Sequence, residues 1–328
     1  MTLSRAPGLA SAAAAASLAA PSEPEPELAR RLARLSGHLV VALVALVAIG
    51  GATRVMEAGL ACPDWPLCYG LLLPGRQMNL QVFLEWFHRL DAFVVGIGLL
   101  VLCGASLRWR ARLPGWLPWA SGAALALVAL QGGLGALTVL QLLAAGVVTA
   151  HLAVALLLVA LLSAIHQRLN LLASTFERPT AEPPASPLWL APLAALAALL
   201  LLGQCLLGAA MASQWAADRC LQAGEACRWL LAHRLLAYPA AASVLLVSAS
   251  VLALPAAGRA TKGLAAAAAA LVLSQVAIGV WSLRLALAAP LLTVAHQISA
   301  ALLIALLVAL ASRSWRPFNS TMAEVAHG

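Results

Sequence analysis

Of the 328 residues, 63% are hydrophobic and only 10% are charged. Soluble domains run nearer roughly 45–50% apolar and about 25% charged, so a water-soluble enzyme is excluded. The net charge of +8 comes without the polar surface that a nucleic-acid partner requires, and reads instead as cationic loops on one side of a membrane.

Residues 1–35 carry an Ala run and the segment Pro21-Ser22-Glu23-Pro24-Glu25-Pro26-Glu27. Such a composition buries too little apolar surface to order itself, so a disordered cytoplasmic extension is expected. Eight apolar runs follow, at 37–56, 83–106, 116–140, 145–168, 188–212, 229–254, 262–284 and 289–312. Each reaches the length of about 20 residues that a spanning helix needs. Helices satisfy every backbone polar group internally, and the short alternating segments of a membrane barrel are absent. The expected fold is therefore an all-α polytopic membrane protein with eight transmembrane helices.

Most Lys and Arg, among them Arg30, Arg31, Arg34, Arg108, Arg110, Arg112 and Arg168, flank one side of these spans. By the positive-inside rule both termini are cytoplasmic. Arg54, Arg76, Arg89 and Arg234 fall on the other side against that trend, which suggests an anionic partner there.

The chain also repeats itself. His88 and His233 are 145 positions apart, as are His151 and His296. Gln131-Gly132-Gly133-Leu134-Gly135 is echoed by Gln275-Val276-Ala277-Ile278-Gly279. The expected organisation is an N-terminal half at 36–170, a linker at 171–187, a C-terminal half at 188–312 and a cytoplasmic tail at 313–328. Each half is a four-helix bundle. Four is even, so both halves point the same way, related by a pseudo-two-fold axis along the membrane normal.

Four of the seven histidines sit at these matched positions, just inside spans that begin on the outer side. One lies on the second helix of each half and one on the fourth. Facing histidines on two helices of a bundle can ligate haem iron from both sides. Interhelical hydrogen bonding would explain a single such histidine, and explains two matched pairs less well. Glu85 lies one helical turn before His88, a candidate acid or base at the edge of such a pocket, or alternatively a partner for Arg89 at i+4. Arg89 and Arg234, the residues after two of the histidines, suit haem propionates, since guanidinium binds carboxylates in pairs of bonds.

Cysteines mark two outer loops. Cys62-Pro63-Asp64-Trp65-Pro66-Leu67-Cys68 can close a small ring on an oxidising face, and Cys220 and Cys227 occupy the equivalent loop of the second half. Zinc is the competing reading, but no loop histidine completes a four-ligand site, so two disulfides are expected.

Taken in order, these residues resemble the haem A synthase family of bacteria and mitochondria. The resemblance rests on Gly50-Gly51-Ala52-Thr53-Arg54, Gly59-Leu60 and the Cys62–Cys68 loop. It continues through Glu85-Trp86-Phe87-His88-Arg89, the Gln131 motif with Thr138-Val139, and His151, His233 and His296-Gln297. It covers roughly 36–312 and implies oxidation of a methyl group of haem O to the formyl group of haem A, for cytochrome oxidase biogenesis. It further implies haem b on His233 and His296, with substrate haem O near His88, His151 and Arg89 and Glu85 as the catalytic carboxylate. The implied setting is the bacterial inner membrane, with haem O synthase and cytochrome oxidase assembly factors as partners; homo-oligomerisation is left open. The histidine pairs would serve equally well in a di-haem b-type cytochrome that passes electrons to a redox partner, with Glu85 and the loop disulfide then incidental.

Overall fold

Uninterrupted apolar sequence lets each run close its hydrogen bonds on itself. The computed structural model, which describes residues 26–177, 187–212, 222 and 227–314, shows the outcome. In chain order its long helices are α1 (Pro26–Val55), α2 (Leu80–Arg108), α3 (Trp116–Leu140) and α4 (Ala145–Glu177). The second half supplies α5 (Leu190–Ala212), α6 (Arg228–Ala253), α7 (Arg259–Arg284) and α8 (Pro290–Ser314). All eight are long and apolar enough to cross a membrane. At about 1.5 Å per residue even the 23-residue α5 outreaches a hydrocarbon core of roughly 30 Å. Among the described residues there is no strand beyond an isolated bridge between Cys68 and Leu71. This is an all-α, multi-pass membrane fold.

The helices pack as two closed rings. α1 contacts α2, α2 contacts α3, α3 contacts α4, and α4 returns to α1; α5 to α8 repeat the cycle. Between the halves, α4 packs on α8 and α5, while α8 also packs on α1. Exchanging α1–α4 with α5–α8 leaves this pattern of neighbours unchanged, as duplicated halves require. At the seam Ser163 of α4 donates to the carbonyl of the small residue Ala305 of α8 at 2.7 Å, and Ala194, Ala197 and Ala301 are fully buried on α5 and α8. Such contacts replace the hydrophobic drive that lipid cannot supply. Arg313 of α8 adds bonds to Gln167 of α4 and Thr261 of α7, both at 3.2 Å.

The duplication extends to the turns. α3 and α7 each end with a left-handed pair, Leu142 and Leu143 at φ 48° and 61°, and Ala286 and Leu287 at φ 48° and 61°. The amide of Leu143 donates to Thr138 at 2.8 Å and that of Leu287 to Ser282 at 2.9 Å. Each closes a Schellman cap without the usual glycine.

One boundary differs from expectation. Residues 26–35, expected within the disordered extension, are the first turns of α1. Glu27 bonds Arg30 at 3.2 Å and Arg31 at 3.0 Å, with Arg34 at 3.7 Å. Ala29, Leu32, Ala33 and Ser36 are buried, a helical face at i, i+3, i+4 and i+7. Likewise α4 runs to Glu177, into the expected linker. Residues 1–25, the linker at 178–186 and the tail from 315 lie outside the described residues.

Candidate functional site

The even-numbered helices all start at the end of the bundle that carries the Cys62–Cys68 loop, and each brings a histidine within its first nine residues. α2 and α4 stand diagonally across the first ring, so His88 and His151 face each other through its interior. Their ring centres are 6.4 Å apart and their planes cross at 62°. In the second half His233 of α6 and His296 of α8 do the same at 6.5 Å and 71°. The structure therefore brings together both predicted pairs.

An iron held between two imidazole nitrogens, at bonds of about 2 Å each, sets ring centres roughly 6–6.5 Å apart, which both pairs match. Among the described residues no group of three or more His, Cys, Asp or Glu could hold a metal. A metal at either pair must bring its remaining ligands with it, as a porphyrin does. The Nδ1 atoms of His88, His151 and His296 are buried without a hydrogen-bond partner. Buried imidazole nitrogens are rarely left unpartnered in a finished core. On donor type, spacing and unsatisfied atoms, the residues fit haem iron.

The two pairs differ in their supports. In the second half the Gln204 amide donates to the His233 carbonyl at 2.7 Å and lies 3.0 Å from its Nδ1. Gln275 lies 3.3 Å from His296 Nε2 and accepts a bond from Ser299. Among the described residues, His88 and His151 have no side-chain hydrogen bond. Sequence reasoning missed Gln204 altogether, and noticed Gln275 only as part of a repeat.

Glu85 and Arg89 are tied to each other and to the outer loop. The Glu85 carboxylate, 4% exposed, places one oxygen 2.5 Å from Arg89 Nη2 and accepts the Cys62 amide on the other at 2.7 Å. Arg89 also donates to the carbonyls of Asp64, at 2.6 Å, and Leu67. The pair thus clamps the loop to α2, which is the i+4 pairing weighed from sequence. Arg234 lies exposed on α6.

The loop is further tied by Asp64, whose carboxylate accepts the amides of Tyr69 at 2.6 Å and Gly70 at 2.7 Å. The Gly70 amide, with that of Tyr69, holds the Asp64 carboxyl below the usual carboxylate range. Cys62 and Cys68 form a disulfide with Cα atoms 4.8 Å apart. Cys227 is also disulfide-bonded, while Cys220 lies outside the described residues. Cys103 and Cys205 are free.

Fold and site together define a multi-pass membrane protein with two intramembrane histidine pairs in duplicated bundles. Its relatives narrow this further. The chain belongs to the family described as cytochrome oxidase assembly protein, which matches residues 33–308. It is similar to a heme A synthase of Shewanella oneidensis, 33% identical over 196 residues that cover 53% of this chain and 55% of that protein. A heme A synthase of Sphingopyxis alaskensis is 30% identical over 131 residues, 32% of this chain and 37% of that protein. A protoheme IX farnesyltransferase of Haloarcula marismortui is 32% identical over 83 residues, 25% of this chain and 17% of that protein. The chain spans about half the length, or less, of these curated relatives.

Proposed function

We propose that this protein is an oxidoreductase that converts a methyl group of haem O to the formyl group of haem A. The observation that carries the reading is the pair of intramembrane histidine couples, each spaced for one iron, in a chain of this family. His233 and His296, buttressed by Gln204 and Gln275, would hold a resident haem b. His88 and His151, without such supports, would hold the substrate. A bound haem b supplies one-electron redox chemistry. The four histidines would bind the iron, and the surrounding helices would exclude water from it.

Glu85 and Arg89 act on the substrate site from its edge, by fixing the Cys62–Cys68 loop one turn above His88. Arginine-rich helix ends opposite that loop, at Arg30, Arg31, Arg34, Arg108, Arg112 and Arg168, support termini in the cytoplasm and residence in the bacterial inner membrane. The farnesyltransferase relative, named for adding a farnesyl group to protohaem, supports a supplier of farnesylated haem as the preceding partner.

Co-expression with a haem O source, followed by extraction and chromatography of the haems, tests the proposal. Haem A above the vector control is expected. Haem b alone would overturn the proposal and leave an electron-transfer cytochrome.

A further inference from the structure

Each of the four paired histidines packs against a glycine on the preceding helix, and His166, outside the pairs, meets Gly37 of α1 in the same way. A methyl group placed on Gly50 of α1 would lie 2.8 Å from His88 Cε1. On Gly208 of α5 it would lie 2.9 Å from His233 Cε1, and on Gly279 of α7 it would lie 2.8 Å from His296 Cε1. These three approaches are too close for any side chain unless the ring moves. The fourth differs. A methyl on Gly135 of α3 would lie 3.5 Å from His151 Cε1, an ordinary van der Waals contact.

So three imidazoles stand hard against helix backbone, while the fourth has about a methyl's worth of room behind it. Close-packed interiors hold a side chain in place by leaving it nowhere to go. A group bound by two axial histidines can leave only after one bond opens, and the ring with room to retreat is the one that can open. The second half offers no such ring, since His233 and His296 are both pressed by glycine backbone and both lie within reach of a glutamine.

Resting on the haem reading above, we propose that these glycines are positioning residues. Gly50, Gly208 and Gly279 lock His88, His233 and His296, and the slack at Gly135 makes His151 the ligand that yields when the substrate haem is exchanged. The resident group is then held by two fixed ligands, and the substrate by one fixed and one yielding.

The test uses the purified full chain loaded with haem b as probe, in Gly50→Ala, Gly135→Ala, Gly208→Ala and Gly279→Ala variants. Gly132→Ala is the control, since a methyl there meets nothing within 4 Å. Alanine favours helix over glycine, so the helices should persist, and circular dichroism verifies this. Visible and electron paramagnetic resonance spectra report the axial ligands, and transfer to apomyoglobin reports haem release. First-half release is read in a His233→Ala background, where only that site loads.

Gly208→Ala and Gly279→Ala should shift the low-spin signal of the second half. Each reads the same haem from an opposite side, so one suffices if the other fails to insert. Gly50→Ala should speed first-half release by about tenfold, the ordinary effect of overpacking a tight contact. Gly135→Ala should slow it, because the added methyl fills the slack. Unchanged spectra and release in all four, with a normal bis-histidine spectrum in the parent, would overturn this inference alone. Faster release from Gly135→Ala would overturn the asymmetry. A parent chain with no low-spin haem would overturn the haem reading as well.

Discussion

Removing the Glu85 carboxylate should unfasten the disulfide loop while leaving the helices in place. Glu85 neutralises Arg89, whose side chain is 15% exposed, and it satisfies the Cys62 amide. Breaking a buried ion pair from one side typically costs about 3–5 kcal/mol. Arg89 keeps its carbonyl partners and can draw in water, so the lower end, about 3 kcal/mol, is appropriate here. Because the loop and not the bundle depends on this pair, the cost appears as loop opening, by roughly 10²-fold at about 1.4 kcal/mol per decade. Glu85→Gln keeps an acceptor of the same shape and should cost about half as much, near tenfold.

Both sulfurs are sequestered in the closed loop, Cys62 being 0% and Cys68 1% exposed, so reduction reports opening. The assay is the rate at which a water-soluble phosphine reduces the disulfide, followed by thiol alkylation and mass spectrometry. A Glu85→Ala rate within twofold of the parent would refute the clamp. If Glu85→Gln instead loses about 10²–10⁴ in haem A formation while the loop stays closed, the carboxylate acts directly as an acid or base.

Two further outcomes follow from the same geometry. His233→Ala or His296→Ala should each remove the second half's share of the low-spin haem b signal, leaving that of haem held at His88 and His151, in protein that still inserts; an undiminished signal in either would remove the residue as an iron ligand. Asp64 is held below its ordinary range by the Gly70 and Tyr69 amides. Its contribution to loop closure is therefore present above the unfolded value of about 4 and lost as pH falls through the lower folded value. Phosphine reduction, normalised to a small reference disulfide, should accelerate below about pH 4, and Asp64→Asn should flatten that dependence.

Hydropathy made the eight helices legible because a lipid-spanning segment must be apolar along its whole length. The predicted 116–140 coincides with α3, and the histidine register followed from the internal repeat. The start of α1 was hidden by its charges: Glu27, Arg30, Arg31 and Arg34 read as polar extension, although Ala29, Leu32, Ala33 and Ser36 already carry the helical period. The caps after α3 and α7 were invisible because leucine and alanine stand where glycine usually does. Gln204, and the glycines facing each imidazole, belong to contacts between helices. No spacing along one helix reveals which residue of a neighbour it meets. Glu85 was found, but its geometric partner was ambiguous until the loop folded back to present the Cys62 amide.

That both histidine pairs lie near the same end of the bundle has an electrical consequence. Each of the four histidines sits within the first nine residues of a helix that starts at the loop end, so the two pairs lie at a similar depth. A charge passing between them travels in the plane of the bilayer. Transmembrane voltage does work of about 2.3 kcal/mol per elementary charge per 100 mV only on charge that crosses the full thickness. On the proposed reading, exchange between haems held in the two halves would be electrically silent and would proceed at the same rate in energised and in collapsed membranes.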